Sequence, residues 1–270
     1  MYWKKRFGQH FLIDESIVME ILKFANLSEN ETVVEIGPGN GILTSKLADI
    51  AKRVIAIEID KRLFRFLKER LSSYNNISII NGDALYYNYG EIPERFKVVS
   101  NLPYNIATPM IIKLIEQRER IIDMIFMFQR EVADRIVAKP GTKDYGALSI
   151  TVQYRADAYK LLNVSRESFK PVPKVDSSVI RITPRKDPHI EVIDEELFFS
   201  IIKAAFSHRR KTIRNNFKTM NLSDEFLEKI FNETGIKPSR RGETLSMLEF
   251  ADIANTITKL KERSINHSDR

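Results

Sequence analysis

Residues 101–104 read Asn-Leu-Pro-Tyr, and their order suits one chemical task, making the exocyclic amine of adenine reactive. That nitrogen is a poor nucleophile because its lone pair is delocalised into the ring. Accepting hydrogen bonds from both of its N–H groups favours a more tetrahedral nitrogen with a localised lone pair. The side-chain oxygen of Asn101 can accept one such bond. The carbonyl of Leu102 can accept the other, because Pro103 holds the preceding residue extended and away from helical pairing. Tyr104 then offers a ring face on which an extruded base can stack, worth about 1–3 kcal/mol. A proline-bearing strand exit beside a stray aromatic would read the same, so the function depends on what else the chain supplies.

A reactive amine needs a methyl donor. Thr32 to Ile36 is a short β-branched run, followed by Gly37-Pro-Gly39-Asn-Gly41 and a helical stretch from Ile42. A dinucleotide loop reads G-x-G-x-x-G, and Ile42 stands where its third glycine would be. The G-x-G-x-G spacing instead suits a loop approaching a methionine sulfonium. Glu58 lies 21 residues after Gly37, near the end of a second apolar run, where a carboxylate can accept both hydroxyls of a ribose. Asp83 follows a third run and can accept from an adenine amino group. Each of these alone is equally a tight turn or a solvated charge. Together with Asn101, on successive strand ends, they predict S-adenosylmethionine as cofactor.

The elements that must position these groups follow from the hydrophobic pattern. Strands are expected at 32–36, 54–59, 77–80, 96–100 and 124–128, alternating with helical segments, which implies a doubly wound parallel sheet. Ligands of such sheets bind beyond the carboxyl ends of the strands, where all the candidates lie. Asp14 is expected to cap a helix with Ile17, Val18, Ile21, Leu22 and Ala25 on one face, and Thr108-Pro109 to start another. After Lys139-Pro140-Gly141 the pattern changes. Residues 147–155 and 159–164 read as extended, the latter suggesting antiparallel pairing. A proline-stiffened loop, 169–177, presents Phe169 before a last strand at 179–182. Phe169 can pack against a strand, or close the second face of a base held on Tyr104.

Residues 184–188 read as a linker, which divides the chain into a sheet domain, 1–185, and a helical domain, 186–270. Asp194, Ser223 and the pair Ser246 and Glu249 are N-cap signals in the second part, Gly235 is a stop, and the tail after Lys261 is expected to fray. Within it, His208 heads the basic run Arg209, Arg210, Lys211 and Arg214. Arg210, Arg214 and Lys218 recur every fourth residue, a spacing that predicts one helix face suited to phosphates or simply to solvent. The basic triplet Lys4, Lys5 and Arg6 reads as a solvated tail.

Composition excludes several classes. The 270 residues contain no cysteine, which removes disulfides, thiolate metal sites and cysteine nucleophiles, and the four histidines are not at ligand spacing. No metal site is therefore expected. No apolar run approaches the roughly 20 residues of a membrane helix, so a cytoplasmic protein without membrane contact is expected. The net charge of +7 points to a polyanionic partner.

The chain also resembles, along nearly its whole length, the rRNA adenine N6,N6-dimethyltransferases of the small ribosomal subunit. The resemblance rests on Phe-Gly-Gln-His-Phe-Leu (7–12), Glu-Ile-Gly-Pro-Gly (35–39), Asn-Leu-Pro-Tyr-Asn-Ile (101–106), Pro-Lys-Val-Asp-Ser (173–177), Phe-Ser-His-Arg-Arg-Lys-Thr-Ile-Arg-Asn (206–215) and Glu-Thr-Leu-Ser (243–246). It implies a Rossmann-like class I methyltransferase sheet with a smaller all-helical C-terminal domain. It adds His10 and Leu12 to Gly37, Gly39, Gly41, Glu58, Asp83 and Asn101 around the cofactor. It implies two adjacent adenosines near the 3′ end of small-subunit rRNA as substrate, the immature small subunit as partner, and a monomer. The rival readings are a methyltransferase of large-subunit rRNA and an assembly or transcription factor on the same scaffold.

Overall fold

The computed structural model describes residues 10–268, with side chains through Arg263; Lys4, Lys5 and Arg6 lie outside the described residues. The chain divides into two compact units, residues 1–134 with 155–186, and residues 135–154 with 187–270. Residues 135–154 group with the helical unit, not with the sheet, so the division is not a single cut in the chain.

The first unit begins with β1 (Phe11–Leu12) and α1 (Glu15–Ala25), continues through β2 (Thr32–Ile36), α2 (Ile42–Ala48), β3 (Arg53–Glu58), α3 (Lys61–Arg70) and β4 (Ile77–Asn81), and reaches β5 (Phe96–Asn101), α4 (Ala107–Glu116) and β6 (Ile121–Gln129). The chain passes through α5 (Arg130–Val137) and α6 (Ala147–Arg155) before β7 (Ala156–Val164), β8 (Phe169–Lys170) and β9 (Ser177–Pro184). The large sheet has the order β4-β3-β2-β5-β6-β9-β7. Strands β2 to β6 are parallel, and β9 and β7 are antiparallel additions at one side. The near-continuous apolar runs of β2, β3 and β5 are what a parallel sheet covered on both faces requires.

Capping chemistry sets several starts. Asp14 accepts from the Ser16 N–H at 3.0 Å and Asp60 from the Arg62 N–H at 2.8 Å, opening α1 and α3. The helix expected from Thr108 starts earlier: Ile106 occupies the cap of α4, and Pro109 falls within the first turn, where its missing N–H costs nothing. Residues 147–155, read as extended, are helical. Their β-branched content suggested a strand, but Leu148, Ile150, Val152 and Tyr154 are all buried, so burial around the segment overrides that preference.

The second unit is helical. It contains α7 (Glu195–Ala205), α8 (Ile213–Phe217), α9 (Asp224–Thr234) and α10 (Met247–Ser268). Phe198, Ile201, Phe217, Ile230, Phe250 and Ile253 build its core together with Ile150 and Tyr154, which explains why 135–154 join it. Ser246 and Glu249 form the expected capping box, with the Ser246 N–H donating to Glu249 Oε2 at 2.8 Å and the Glu249 N–H to Ser246 Oγ at 3.2 Å. The tail after Lys261, expected to fray, is helical instead, with α10 continuing to Ser268.

One constraint joins sheet to site. Gly41 has φ +80°, and a Cβ there would lie 2.8 Å from Leu67 Cδ2 of α3. Gly41→Ala should therefore lower stability by at least about 1–2 kcal/mol from the left-handed backbone alone, measured as a reduced midpoint in urea unfolding.

Candidate active site

A cavity of about 240 Å³ opens at the carboxyl ends of β2, β3 and β5, beside the point where the strand order reverses between β2 and β5. It is lined by His10 and Leu12, by Glu35, Gly37 and Gly39, by Glu58 and Asp83, and by residues 101–106. The two-residue ladder of β1 with β8, which pairs Leu12 with Phe169, brings the N-terminal segment to this place.

Gly37 has φ +66°, and a Cβ on it would lie 3.1 Å from the Pro103 ring. The loop after β2 and the tetrapeptide after β5 thus approach each other as closely as glycine allows. Glu58 is buried and fixed from two sides: Oε1 accepts from the Asp60 N–H at 2.9 Å, and Oε2 from the Gly39 N–H at 3.4 Å. Burial raises its pKa, and the Asp60 and Gly39 amides work in the opposite direction. Asp83 Oδ1 accepts from the Leu85 N–H at 2.9 Å, so the carboxylate is held at the cavity wall by its own turn.

Asn101 ends β5 opposite Met127 of β6. Its Nδ2 donates to the His10 carbonyl at 3.4 Å, which leaves the amide oxygen as the group that can accept from a ligand. The Leu102 N–H donates to the Met127 carbonyl at 2.9 Å, and the turn that follows is closed by the Ile106 N–H on the Pro103 carbonyl at 3.1 Å. That closing bond falls on residue 103, not on the Leu102 carbonyl. Tyr104 is anchored through its hydroxyl to Ser177 Oγ at 2.9 Å. The His10 ring stacks on Tyr104 with centroids 5.6 Å apart and planes inclined by 27°. His10 Nδ1–H in turn donates to the Pro171 carbonyl at 2.7 Å. One face of Tyr104 is thus taken by the His10 ring, and Tyr104 also lines the cavity.

Three expectations change. Phe169 does not line the cavity: it is 1 % exposed, packed with Leu12, Val18 and Val179 in the core. Its pairing with Leu12 in the β1–β8 ladder turns the ring inward, so it presents no face to a base. Gly41 also lies off the cavity, spent on the start of α2 and the contact with Leu67. Arg210, Arg214 and Lys218 do not share a helix face, because α8 covers only Ile213–Phe217 and Arg210 precedes it in an irregular segment. Arg214 pairs with Glu228 and with Asp224, and Lys218 lies 3.6 Å from Asp224. Arg209 donates to the Lys143 carbonyl. Arg210 and Lys211 are exposed, with no ion-pair partner among the described residues. Short acidic α9 neighbours, invisible to a local charge pattern, account for the difference.

Glu35 was missed by sequence reasoning. It is the last but one residue of the run Thr-Val-Val-Glu-Ile, lines the cavity and is buried. No hydrogen bond of good geometry reaches its Oε2 or the Thr44 Oγ1, although the hydroxyl is close enough to act on the carboxyl. Burial pushes its pKa up to about 8; the Thr44 hydroxyl opposes this, and the charge of Glu58 adds to it. The signal was available: a carboxylate inside a β-branched strand two residues before a glycine loop has no reason to be there for packing. A buried acid with an unsatisfied oxygen, a second buried acid and a left-handed glycine loop fit a ligand that is cationic and carries a ribose. S-adenosylmethionine, with its sulfonium and ammonium, matches that donor set. Among the described residues no group of acids and histidines suited to a metal ion occurs.

A parallel sheet of this order with the cavity at its switch point defines a class I methyltransferase fold. The sequence profile described as ribosomal RNA adenine dimethylase matches residues 2–259. The "Ribosomal RNA small subunit methyltransferase A" of Bacillus cytotoxicus is 46% identical over 271 residues, covering 96% of this chain and 92% of that protein. Its namesake from a Geobacillus species is 48% identical, over 94% and 91% of the two chains. Among solved structures, a dimethyladenosine transferase from Plasmodium falciparum superposes with a TM-score of 0.80 at 29% identity, covering 93% of this chain and 98% of that one. The 23S rRNA methyltransferase ErmE gives 0.69, also at 29% identity, over 92% and 99%. The chain belongs to the ribosomal RNA adenine dimethylase family. It is an S-adenosylmethionine-dependent rRNA adenine dimethyltransferase.

Three outcomes are expected from this geometry. Because the folded pKa of Glu35 stands above the ordinary carboxylate value, its ionisation opposes folding, and stability falls as pH rises from the ordinary range through about 8. A cationic cofactor favours the ionised form, so its binding at neutral pH should release a proton and tighten as pH approaches 8; Glu35→Gln should abolish both, as read by calorimetry in buffers of different ionisation enthalpy. Phe169→Ala should cost about 3–5 kcal/mol in unfolding free energy, as for a core aromatic, measured by chemical denaturation.

Proposed function

We propose that this enzyme converts two adjacent adenosines in the hairpin near the 3′ end of small-subunit rRNA to N6,N6-dimethyladenosine, acting as a monomer on the immature small subunit in the cytoplasm. The observation that carries the reading is the Asn101 amide, which lines the same cavity as Glu35, Glu58 and Asp83 and whose nitrogen donates to the His10 carbonyl at 3.4 Å, leaving its oxygen as an acceptor. The choice of subunit is supported by the relatives at 46% and 48% identity, both called small-subunit methyltransferases. The large-subunit reading has a structural neighbour in ErmE, at the lower identity of 29%.

When bound, S-adenosylmethionine supplies a methyl group made electrophilic by its sulfonium. The protein's part is positioning. The target base leaves its stack and lies on the face of Tyr104 opposite His10. Asn101 Oδ1 and the Leu102 carbonyl accept its two amino hydrogens and direct the nitrogen lone pair towards the donor. Orientation of this kind accounts for most of the acceleration. No general base is needed before attack, because the methylated nitrogen is acidic and loses its proton afterwards. For the second transfer one N–H remains, and one of the two acceptors suffices. Glu58 holds the ribose, Asp83 the cofactor adenine, and Leu12 the apolar wall. Arg209, Arg210 and Lys211 contact rRNA from the segment before α8, with Arg214 and Lys218 available only where RNA displaces their acidic partners on α9.

Mass spectrometry of nucleosides from unmethylated small and large subunits, incubated with labelled cofactor, tests the substrate. N6,N6-dimethyladenosine should be found in the small-subunit rRNA, and label confined to the large subunit would overturn the proposal. Tyr104→Ala should slow transfer by the equivalent of about 1–3 kcal/mol with little change in cofactor affinity. Tyr104→Phe, which keeps the ring and loses only the Ser177 bond, should retain most of the rate in single-turnover assays.

A further inference from the structure

Helix α3 reads Lys-Arg-Leu-Phe-Arg-Phe-Leu-Lys-Glu-Arg. It carries five cations against one acid, a net charge of +4 in ten residues of a chain whose total is +7. Leu63 and Leu67 are buried, and all six charged residues are exposed. Lys61, Arg65 and Lys68 fall at i, i+4 and i+7, one stripe on the outer face, with the exposed Arg62 beside it.

This arrangement works against the helix. Like charges four apart destabilise it by about as much as opposite charges help, a few tenths of a kcal/mol per pair. Lys61 and Arg62 stand in the first turn, where the positive end of the helix dipole favours acids, and no acid is there, whereas Lys68 and Arg70 in the last turn suit the dipole, so the cost falls on the start of the helix. Only Arg62 has a carboxylate, Asp60 at 2.9 Å. Among the described residues Lys61, Arg65, Lys68 and Arg70 form no ion pair, in contrast to Arg214, Lys218 and Arg240 of the helical unit, each of which does. Lys68 instead lies over the half-buried Phe64 ring at 5.2 Å from its centroid, and Arg70 over Phe66 at 5.8 Å. Their stems are thereby laid along the helix, with the charged ends on the surface.

The location is also particular. The N-cap Asp60 follows Glu58 by two residues, so the helix starts at the rim of the cofactor cavity, and its buried face packs through Leu67 on the glycine loop. A stripe of unpaired cations on a rigid element next to the active site is the electrostatic footprint of a phosphate backbone.

We propose that the outer face of α3, through Lys61, Arg65 and Lys68, is a second rRNA-binding surface, which holds phosphates of a segment other than the one that enters the cavity. It rests on the rRNA substrate class established for the family and is independent of the basic segment before α8. These contacts position the RNA without reading bases, and three of them should contribute about 2–3 to the slope of log affinity against log salt.

The test is the triple variant Lys61→Glu, Arg65→Glu, Lys68→Glu, compared with the native protein on small subunits lacking the modification. Affinity should fall about tenfold or more near physiological salt, with the salt slope reduced by about 2–3 and KM raised more than kcat is lowered. Cofactor affinity and the thermal midpoint should be little changed, since the acid placed at the helix start is offset by the one placed in its last turn and the like-charge spacing is kept. Because the chain has no cysteine, Arg65→Cys also gives a unique tether for an iron-chelate cleavage reagent. Cuts should then cluster in rRNA away from the methylated adenosines. Unaltered affinity and salt slope would overturn the proposal. So would cuts no different from those of free reagent, or a lowered thermal midpoint that explains the lost affinity. Loss of binding to anionic lipid vesicles with rRNA affinity intact would assign the stripe to a membrane surface and overturn it equally.

Discussion

The structure depends on two carboxylates, Glu35 and Glu58, buried at the ends of neighbouring parallel strands with no cationic side chain paired to either among the described residues. Burying an acid without a cation is costly, and the protein compensates only partly. Glu58 has the amides of Gly39 and Asp60; Glu35 keeps an oxygen with no partner and a pKa of about 8. A site of this kind is relaxed by a ligand that brings positive charge and hydroxyl donors together. The left-handed glycines of the loop, Gly37 at φ +66° and Gly39 at φ +59°, let the backbone stand close enough for one molecule to meet both acids.

The substrate side is built on a different principle, that of using up every hydrogen-bonding group that must not move. Asn101 donates its nitrogen to His10, Tyr104 gives its hydroxyl to Ser177, and His10 is itself held by Pro171. The Asn101 amide is left with its oxygen as an acceptor. The N-terminal segment therefore shapes the cavity: the short β1–β8 ladder is what brings the His10 carbonyl and ring to Asn101 and Tyr104.

Charge is distributed unevenly over the two units. In the helical unit the cations of and around α8 are largely met by acids of α9, and the exposed exceptions sit in the irregular turn before it. In the sheet unit α3 retains a stripe that no acid balances. The buried Asn216, donating to the carbonyls of Ala205 at 2.7 Å and His208 at 3.2 Å, holds the basic turn against the end of α7. The exposed cations there project from a fixed backbone.

The sequence by itself determined the parallel strands, the helix caps at Asp14, Asp194, Ser223 and Ser246, and the strand-end positions of the glycine loop, Glu58, Asp83 and Asn101. These are local properties: apolar runs, capping side chains and glycines carry their meaning within a few residues. Tertiary structure alone decided that Phe169 turns into the core, that 147–155 coil into a helix of the second unit, and that Arg214 and Lys218 are paired. Each depends on a neighbour distant in sequence: Leu12 across a ladder, Phe198 against Tyr154, Asp224 on the next helix. Glu35 lies between the two cases, since its position was legible but its charge state follows from burial, which only the closed fold creates.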